Sequence, residues 1–190
     1  VSIEYLGPSK ARETLSCGFD IMIVGDNDYY SRRVNGKVPT IEELRALEPF
    51  TSHPCTLGDV HKTGLGSSAA MTTSLVGALL LHLGVAQVEF GQLTSTSLGL
   101  IHNVAQLAHC AAQGKVGSGF DVSASVWGHQ LYRRFDPELI KGLIRHEIGS
   151  RIVTDQNTTV NDVSLEPLAL LPTLDASNPL WVPAPPPSAA

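Results

Sequence analysis

Apolar and polar positions along the chain fall into blocks of different period. From Phe19 to Val24 an apolar run, Phe-Asp-Ile-Met-Ile-Val, stops at Gly25-Asp26-Asn27-Asp28 and predicts a strand followed by a turn. Thr40-Ile41-Glu42-Glu43 carries a capping-box pattern, with a hydroxyl to cap and a glutamate three residues on; it predicts a short helix to about Leu47, before Pro49. The stretch Ser67 to Leu83, rich in Ala, Leu, Met and Ser, predicts a largely buried helix stopped by Gly84. A second long helix is predicted over Ser95 to Gln113. Its apolar face is Leu98, Ile101, Ala105, Ala108 and Ala112, at spacings of three and four, and Gly114 can end it. Gly117-Ser118-Gly119 then forms a flexible loop, Val122 to Val126 is compatible with a short helix, and Gln130 to Phe135 predicts a strand. Beyond Asp136 the pattern fades, and no internal repeat is visible. Helices and strands do not alternate regularly, so the expected class is α+β and not a doubly wound sheet.

Composition and charge narrow the function classes. Hydrophobic residues make up 43% of the 190 positions and charged residues 16%, the balance of a globular core and too apolar for disorder. The net charge is −5 and the basic residues form no run beyond Arg32-Arg33, so neither nucleic acid nor an anionic membrane is indicated as a partner. A small anionic substrate stays open, since its site needs only a few local cations. Cys17, Cys55 and Cys110 are odd in number and lack CxxC spacing, which argues against a disulfide framework and for a reducing intracellular compartment. Cys110 lies in an apolar helical stretch and reads as a buried structural thiol. The most apolar run, Leu75 to Leu83, is far shorter than the ~20 residues of a membrane span, and no signal peptide is visible.

Two glycine-rich loops carry the chemistry. In Lys62-Thr63-Gly64-Leu65-Gly66-Ser67-Ser68-Ala69-Ala70 the glycines let backbone N–H groups converge, and the following helix aims its positive end at the same point. Ser67 and Ser68 can donate to a phosphate or lend a hydroxyl to a cation. The loop is not a Walker A motif, because no lysine follows the second glycine, and it lacks the GxGxxG dinucleotide pattern. On these residues alone, a glycine-serine turn capping a buried helix explains it equally well. The second loop, Gly114-Lys115-Val116-Gly117-Ser118-Gly119-Phe120-Asp121, presents one carboxylate behind a long helix. Asp121 can accept a proton or orient a cation near a phosphate cradle. By itself it also reads as the N-cap of a helix over Val122 to Val126, and Lys115 as a solvated loop lysine.

Together the two loops resemble those of the GHMP kinases: Gly64-Leu65-Gly66-Ser67-Ser68-Ala69-Ala70 is similar to their phosphate motif, and Gly117-Ser118-Gly119-Phe120-Asp121 to the segment bearing their catalytic aspartate. Lys62-Thr63, His102-Asn103-Val104-Ala105-Gln106, Ala108-His109-Cys110, Gln113-Gly114-Lys115, Tyr132-Arg133-Arg134-Phe135 and Gly25-Asp26-Asn27-Asp28-Tyr29-Tyr30-Ser31 resemble, within that superfamily, the fungal and plant type of phosphomevalonate kinase. The resemblance spans roughly residues 15 to 181. It implies transfer of the ATP γ-phosphoryl group to the 5-phosphate of mevalonate, in the cytoplasmic part of the isoprenoid pathway. It implies that Asp121 and Lys62 are catalytic and that Gly64, Leu65, Gly66, Ser67, Ser68 and Ala69 hold ATP. Ser67 or Ser68 would then sit on Mg²⁺, and Lys115, Ser118 and Gly119 would meet the substrate. Two other readings stay open: a non-catalytic relative that binds nucleotide or a protein partner, and mevalonate kinase or another kinase of the superfamily.

The sequence departs from that pattern in places. Val60 stands where a proline often precedes the phosphate motif, and His109 or Cys110 lies near the place of the Mg²⁺-binding glutamate of mevalonate kinase. The superfamily's N-terminal substrate motif and C-terminal glycine-rich motif are not recognisable. The chain is therefore expected to be an incomplete piece: residues 1–181 part of an ATP-binding N-terminal domain, residues 182–190 a Pro/Ala-rich tail, and the C-terminal domain missing.

Overall fold

The computed structural model describes residues 7–140 except 34, 35, 54, 57 and 139; the expectations for residues 141–190, the tail included, lie outside the described residues. In chain order the elements are α1 (Pro8–Ser16), a 3₁₀ turn (Asn27–Tyr29), α2 (Ile41–Arg45), α3 (Ser67–His82), β1 (Val88–Glu89), β2 (Gln92–Leu93), α4 (Ser95–Gln113) and α5 (Phe120–Trp127). Helix and strand are thus mixed, as an α+β domain requires.

The core is made where α3, α4 and α5 pack pairwise against one another. Ala69, Val76 and Leu80 of α3 meet Ile101 and Ala105 of α4 and Val122 of α5, and Leu83, Val85 and Ala86 close the end. On α3 only one stripe is buried, Ala69, Thr73, Val76 and Leu80, recurring every three or four residues. Met71 and Leu81 on the other side are exposed, so the largely buried helix expected here is half-buried. α4 begins and ends where its sequence predicts. Thr94 caps it through a bond from the Ser97 N–H, and Gly114 in the left-handed region (φ 66°) terminates it. Its buried surface is wider than the predicted apolar face, because α3 and α5 cover it from two directions. Ser97, His102, Asn103, Gln106 and His109 are buried with Ile101 and Ala105, whereas Ala112 is exposed.

The short helix after Thr40 carries both reciprocal bonds of a capping box, Glu43 N–H to Thr40 Oγ1 and Thr40 N–H to a Glu43 carboxylate oxygen. The two predicted strands are corrected. Phe19 to Val24 has no regular structure and joins no ladder among the described residues, and Ile21, Met22, Ile23 and Val24 are more than half exposed. Gln130 to Phe135 is likewise irregular. Strand pairing occurs instead between β1 and β2, which are antiparallel with Val88 opposite Leu93 and Glu89 opposite Gln92. Their link is Phe90-Gly91, both at positive φ (50° and 79°), as a tight hairpin turn of matching twist demands.

Candidate active site

The phosphate-like loop is strapped to the segment before it. Ser31 N–H donates to His61 O (2.8 Å), Thr63 N–H to Tyr29 O (3.1 Å) and Thr63 Oγ1 to Asp28 O (2.9 Å), with a lone antiparallel bridge between Tyr30 and Lys62. That segment is itself anchored: Asn27 Oδ1 accepts from Arg32 Nη2 (2.9 Å) and Thr51 N–H (3.2 Å), and Asn27 Nδ2 donates to Glu48 O (2.9 Å). Gly64 (φ 83°) and Gly66 (φ 77°) both lie in the left-handed region, which a side chain would resist. Gly66 is the N-cap of α3 and offers no side chain to cap it. The N–H groups at the head of this sixteen-residue helix are therefore left to an external acceptor, reinforced by the helix dipole.

The aspartate loop leaves α4 through Gly114, with the Lys115 N–H bonded back to Cys110 O (3.2 Å). It enters α5 through Gly119, whose φ of 82° and burial leave no room for substitution: a Cβ there would lie 2.7 Å from Gln106 Oε1, 2.8 Å from Phe135 and 2.9 Å from the Tyr132 hydroxyl. That hydroxyl donates to Ser118 O (2.5 Å), tying the loop from outside. Burial pushes the Tyr132 phenol up, against opposing effects from the Phe135 backbone and then Arg134, with the negative charge of Asp121 a lesser aid. The N-cap expected at Asp121 is thus occupied by Gly119. Asp121 is the second residue of the helix, in its first turn, with Oδ1 accepting from the Val122 N–H (3.0 Å).

The two loops meet. A Cβ on Gly66 would lie 3.8 Å from the Asp121 Cβ, so the carboxylate is rooted beside the head of α3. Close by, Ser68 Oγ is 3.2 Å from His109 Nε2, which is also 2.9 Å from the Gln113 amide nitrogen. Ser67 faces a cleft of about 350 Å³ between Ile21–Asp26 and the exposed side of α3, lined also by Tyr29, Tyr30, Met71 and Ser74.

Of the residues singled out in the sequence, Gly66 and Asp121 are brought together, Ser67 and Ser68 follow Gly66 in the first turn of α3, and Gly119 heads the helix that carries Asp121. Ala69 is fully buried, backbone included, so it presents no surface to a ligand, and Leu65 is exposed on the loop. Lys62 and Lys115 are exposed, with no side-chain partner among the described residues. Sequence reading did not anticipate the contacts of His109, Gln106, Tyr132 and Phe135. The i, i+4 spacing of His109 and Gln113 was the one available signal. Among the described residues no group of three or more His, Cys, Asp or Glu side chains can hold a metal. The oxygen donors at the junction, Ser67, Ser68 and Asp121, suit a hard cation that keeps its remaining ligands from phosphates and water.

Residues 41–129 match the GHMP kinases N terminal domain, a span that includes both loops and all three core helices. Among curated proteins, the peroxisomal phosphomevalonate kinase of Arabidopsis thaliana is 44% identical over 74% of this chain and 32% of its own length. The phosphomevalonate kinase of Aspergillus fumigatus is 44% identical over 74% of this chain and 27% of its own length. That of Gibberella zeae is 47% identical over 62% of this chain and 25% of its own length. The chain therefore spans between a quarter and a third of the length of these relatives. No solved structure matches it. No helix among the described residues is long and apolar enough to cross a membrane. With the phosphate loop, the aspartate loop and the helices that bring them together all inside the matched span, residues 41–129 carry a GHMP kinases N terminal domain.

Proposed function

We propose that this chain supplies the ATP-phosphate loop and the catalytic aspartate of an enzyme that phosphorylates 5-phosphomevalonate to 5-diphosphomevalonate. The observation that carries the reading is the approach of Asp121 to Gly66, which puts a carboxylate at the mouth of an uncapped helix N-terminus. The names and identities of the fungal and plant relatives support the acceptor.

In this reading the N–H groups of Gly66, Ser67 and Ser68 hold the ATP phosphates. An oxygen of the acceptor phosphate attacks the γ-phosphorus as the bridging oxygen leaves with ADP. The acceptor is already largely ionised near neutral pH, its second pKa being about 6, so Asp121 orients it more than it deprotonates it. Two anions approach each other in this step, and Lys62, Lys115 and the Ser118 hydroxyl are assigned to screening and holding them. Mg²⁺, held by Ser67 or Ser68 with Asp121 beside it, would supply charge neutralisation on the phosphates. Cys17, Cys55 and Cys110 are free thiols, which suits a reducing, cytosolic setting.

The test is ADP release from Mg²⁺ and ATP with phosphomevalonate as acceptor, beside Asp121→Ala. Release that requires phosphomevalonate and is lost in the variant is the expected result. Release that ignores the acceptor, or that prefers mevalonate, overturns the substrate assignment.

A further inference from the structure

The segment from Gln130 to Phe135 joins no ladder, yet it is fastened to α5 on both sides of Asp121. Before the aspartate, the Tyr132 hydroxyl donates to Ser118 O (2.5 Å). A carbonyl oxygen only accepts, so this bond has a single reading. The phenol oxygen is held from its other side by a hydrogen bond from the Phe135 backbone. After the aspartate, the fully buried Ser123 donates through Oγ to Gln130 Oε1 (2.9 Å). Between these two fastenings Tyr132 and Phe135 press on Gly119, where a Cβ would stand 2.9 and 2.8 Å from them.

The loop needs such a hold. Gly114, Gly117 and Gly119 give it a backbone with much freedom to lose, and α5 starts at Gly119 with no side-chain cap. Asp121 Oδ1 bonds only the neighbouring Val122 N–H, which turns with the helix head and cannot fix it. Whatever sets the head of α5 therefore sets where the carboxylate stands against Gly66.

We propose that the segment from Gln130 to Phe135 is a brace for the aspartate, with Tyr132 as the positioning residue that holds the head of α5 so that Asp121 stays beside Gly66. This rests on the phosphoryl-transfer reading above and deepens it by naming the residue through which the aspartate is held.

The test pairs backbone ¹⁵N order parameters with steady-state turnover, on the full chain and its Tyr132→Phe variant. In the variant the amides of Ser118 to Val122 should fall from about 0.85, the rigid range, toward 0.6, while those of α3 and α4 keep their values. Turnover with Mg²⁺, ATP and phosphomevalonate should lose about fivefold in kcat, the worth of one hydrogen bond. The KM for ATP should not change, because the head of α3 is untouched.

Wild-type order at Ser118 to Val122, or a wild-type kcat, overturns the assignment. An equal loss of order across α3 and α4 marks a merely structural tyrosine and does the same. Should Tyr132→Phe fail to fold, Gln130→Ala, which cuts only the bond at Ser123, decides: undiminished order at the head of α5 refutes the brace. A wild-type chain that does not turn over phosphomevalonate removes the reading above, and the order parameters then decide the brace by themselves.

Discussion

Gly66 and Asp121 are fifty-five positions apart in sequence, yet a Cβ added to Gly66 would stand 3.8 Å from the Asp121 Cβ, at van der Waals distance. This approach exists because α3 and α5 are packed together by Ala69 and Val122, each fully buried. The carboxylate is therefore placed by the core and not by its own loop alone. Gly66→Ala tests what the glycine supplies. There is room for the methyl group, so the cost is the left-handed backbone, about 1 kcal/mol of stability. Turning that peptide also re-aims the N–H groups at the helix head. ADP affinity should fall on the order of tenfold, the scale of one charge-assisted bond, as measured by calorimetry beside chemical denaturation.

Gly119 and Gly64 form a matched pair for separating strain from collision. Both have φ near +80°, but an added Cβ meets three side chains at Gly119 and nothing within 4 Å at Gly64. Gly64→Ala should cost about 1 kcal/mol and Gly119→Ala about 2–4 kcal/mol, since overpacking adds to strain. Urea denaturation of the two variants gives the comparison directly; equal losses would show that the Gln106 and Phe135 wall yields.

Tyr132 links the aspartate loop to the alkaline limb of stability. Its phenol is raised in the folded state, chiefly by burial, with Asp121 a lesser contributor. The folded chain holds this proton more tightly than the unfolded one. The contribution is complete below pH about 10, the unfolded value, and is lost as pH rises through the folded value. Tyr132→Phe should flatten that limb between pH 9 and 11 and cost about 1 kcal/mol at neutral pH through the lost bond to Ser118. Thermal melts across the range read both effects.

His102 should do the converse in acid. It is buried, and burial lowers its pKa, partly offset by the bond to Asn103. The unfolded chain takes up this proton first. Stability that is complete above pH about 6.5 therefore declines as pH falls toward the depressed folded value. His102→Gln should be less stable at pH 7 and lose less between pH 7 and 5 than wild type, by denaturant midpoints at each pH.

Much of this arrangement was legible in the sequence, and the reasons are local. The capping box at Thr40, the ends of α4 at Thr94 and Gly114, and the glycines at 64, 66 and 119 each follow from the requirements of one turn of backbone. What was not legible depends on partners. Phe19 to Val24 has the composition of a strand, but a strand exists only through a neighbour, which composition does not name. The polar residues Asn103 and Gln106 lie where a single-sided amphipathic helix would meet water, and only the covering of α4 by both α3 and α5 buries them.

The exposed apolar run from Ile21 to Val24 has a consequence for handling the protein. Its side chains are 54–88% exposed and its backbone joins no ladder among the described residues. An unguarded apolar edge of this kind is a template onto which a second chain can zip, strand by strand. Self-association should thus grow with concentration, and a single gatekeeper charge, Met22→Lys, should suppress it at no cost to the helical core.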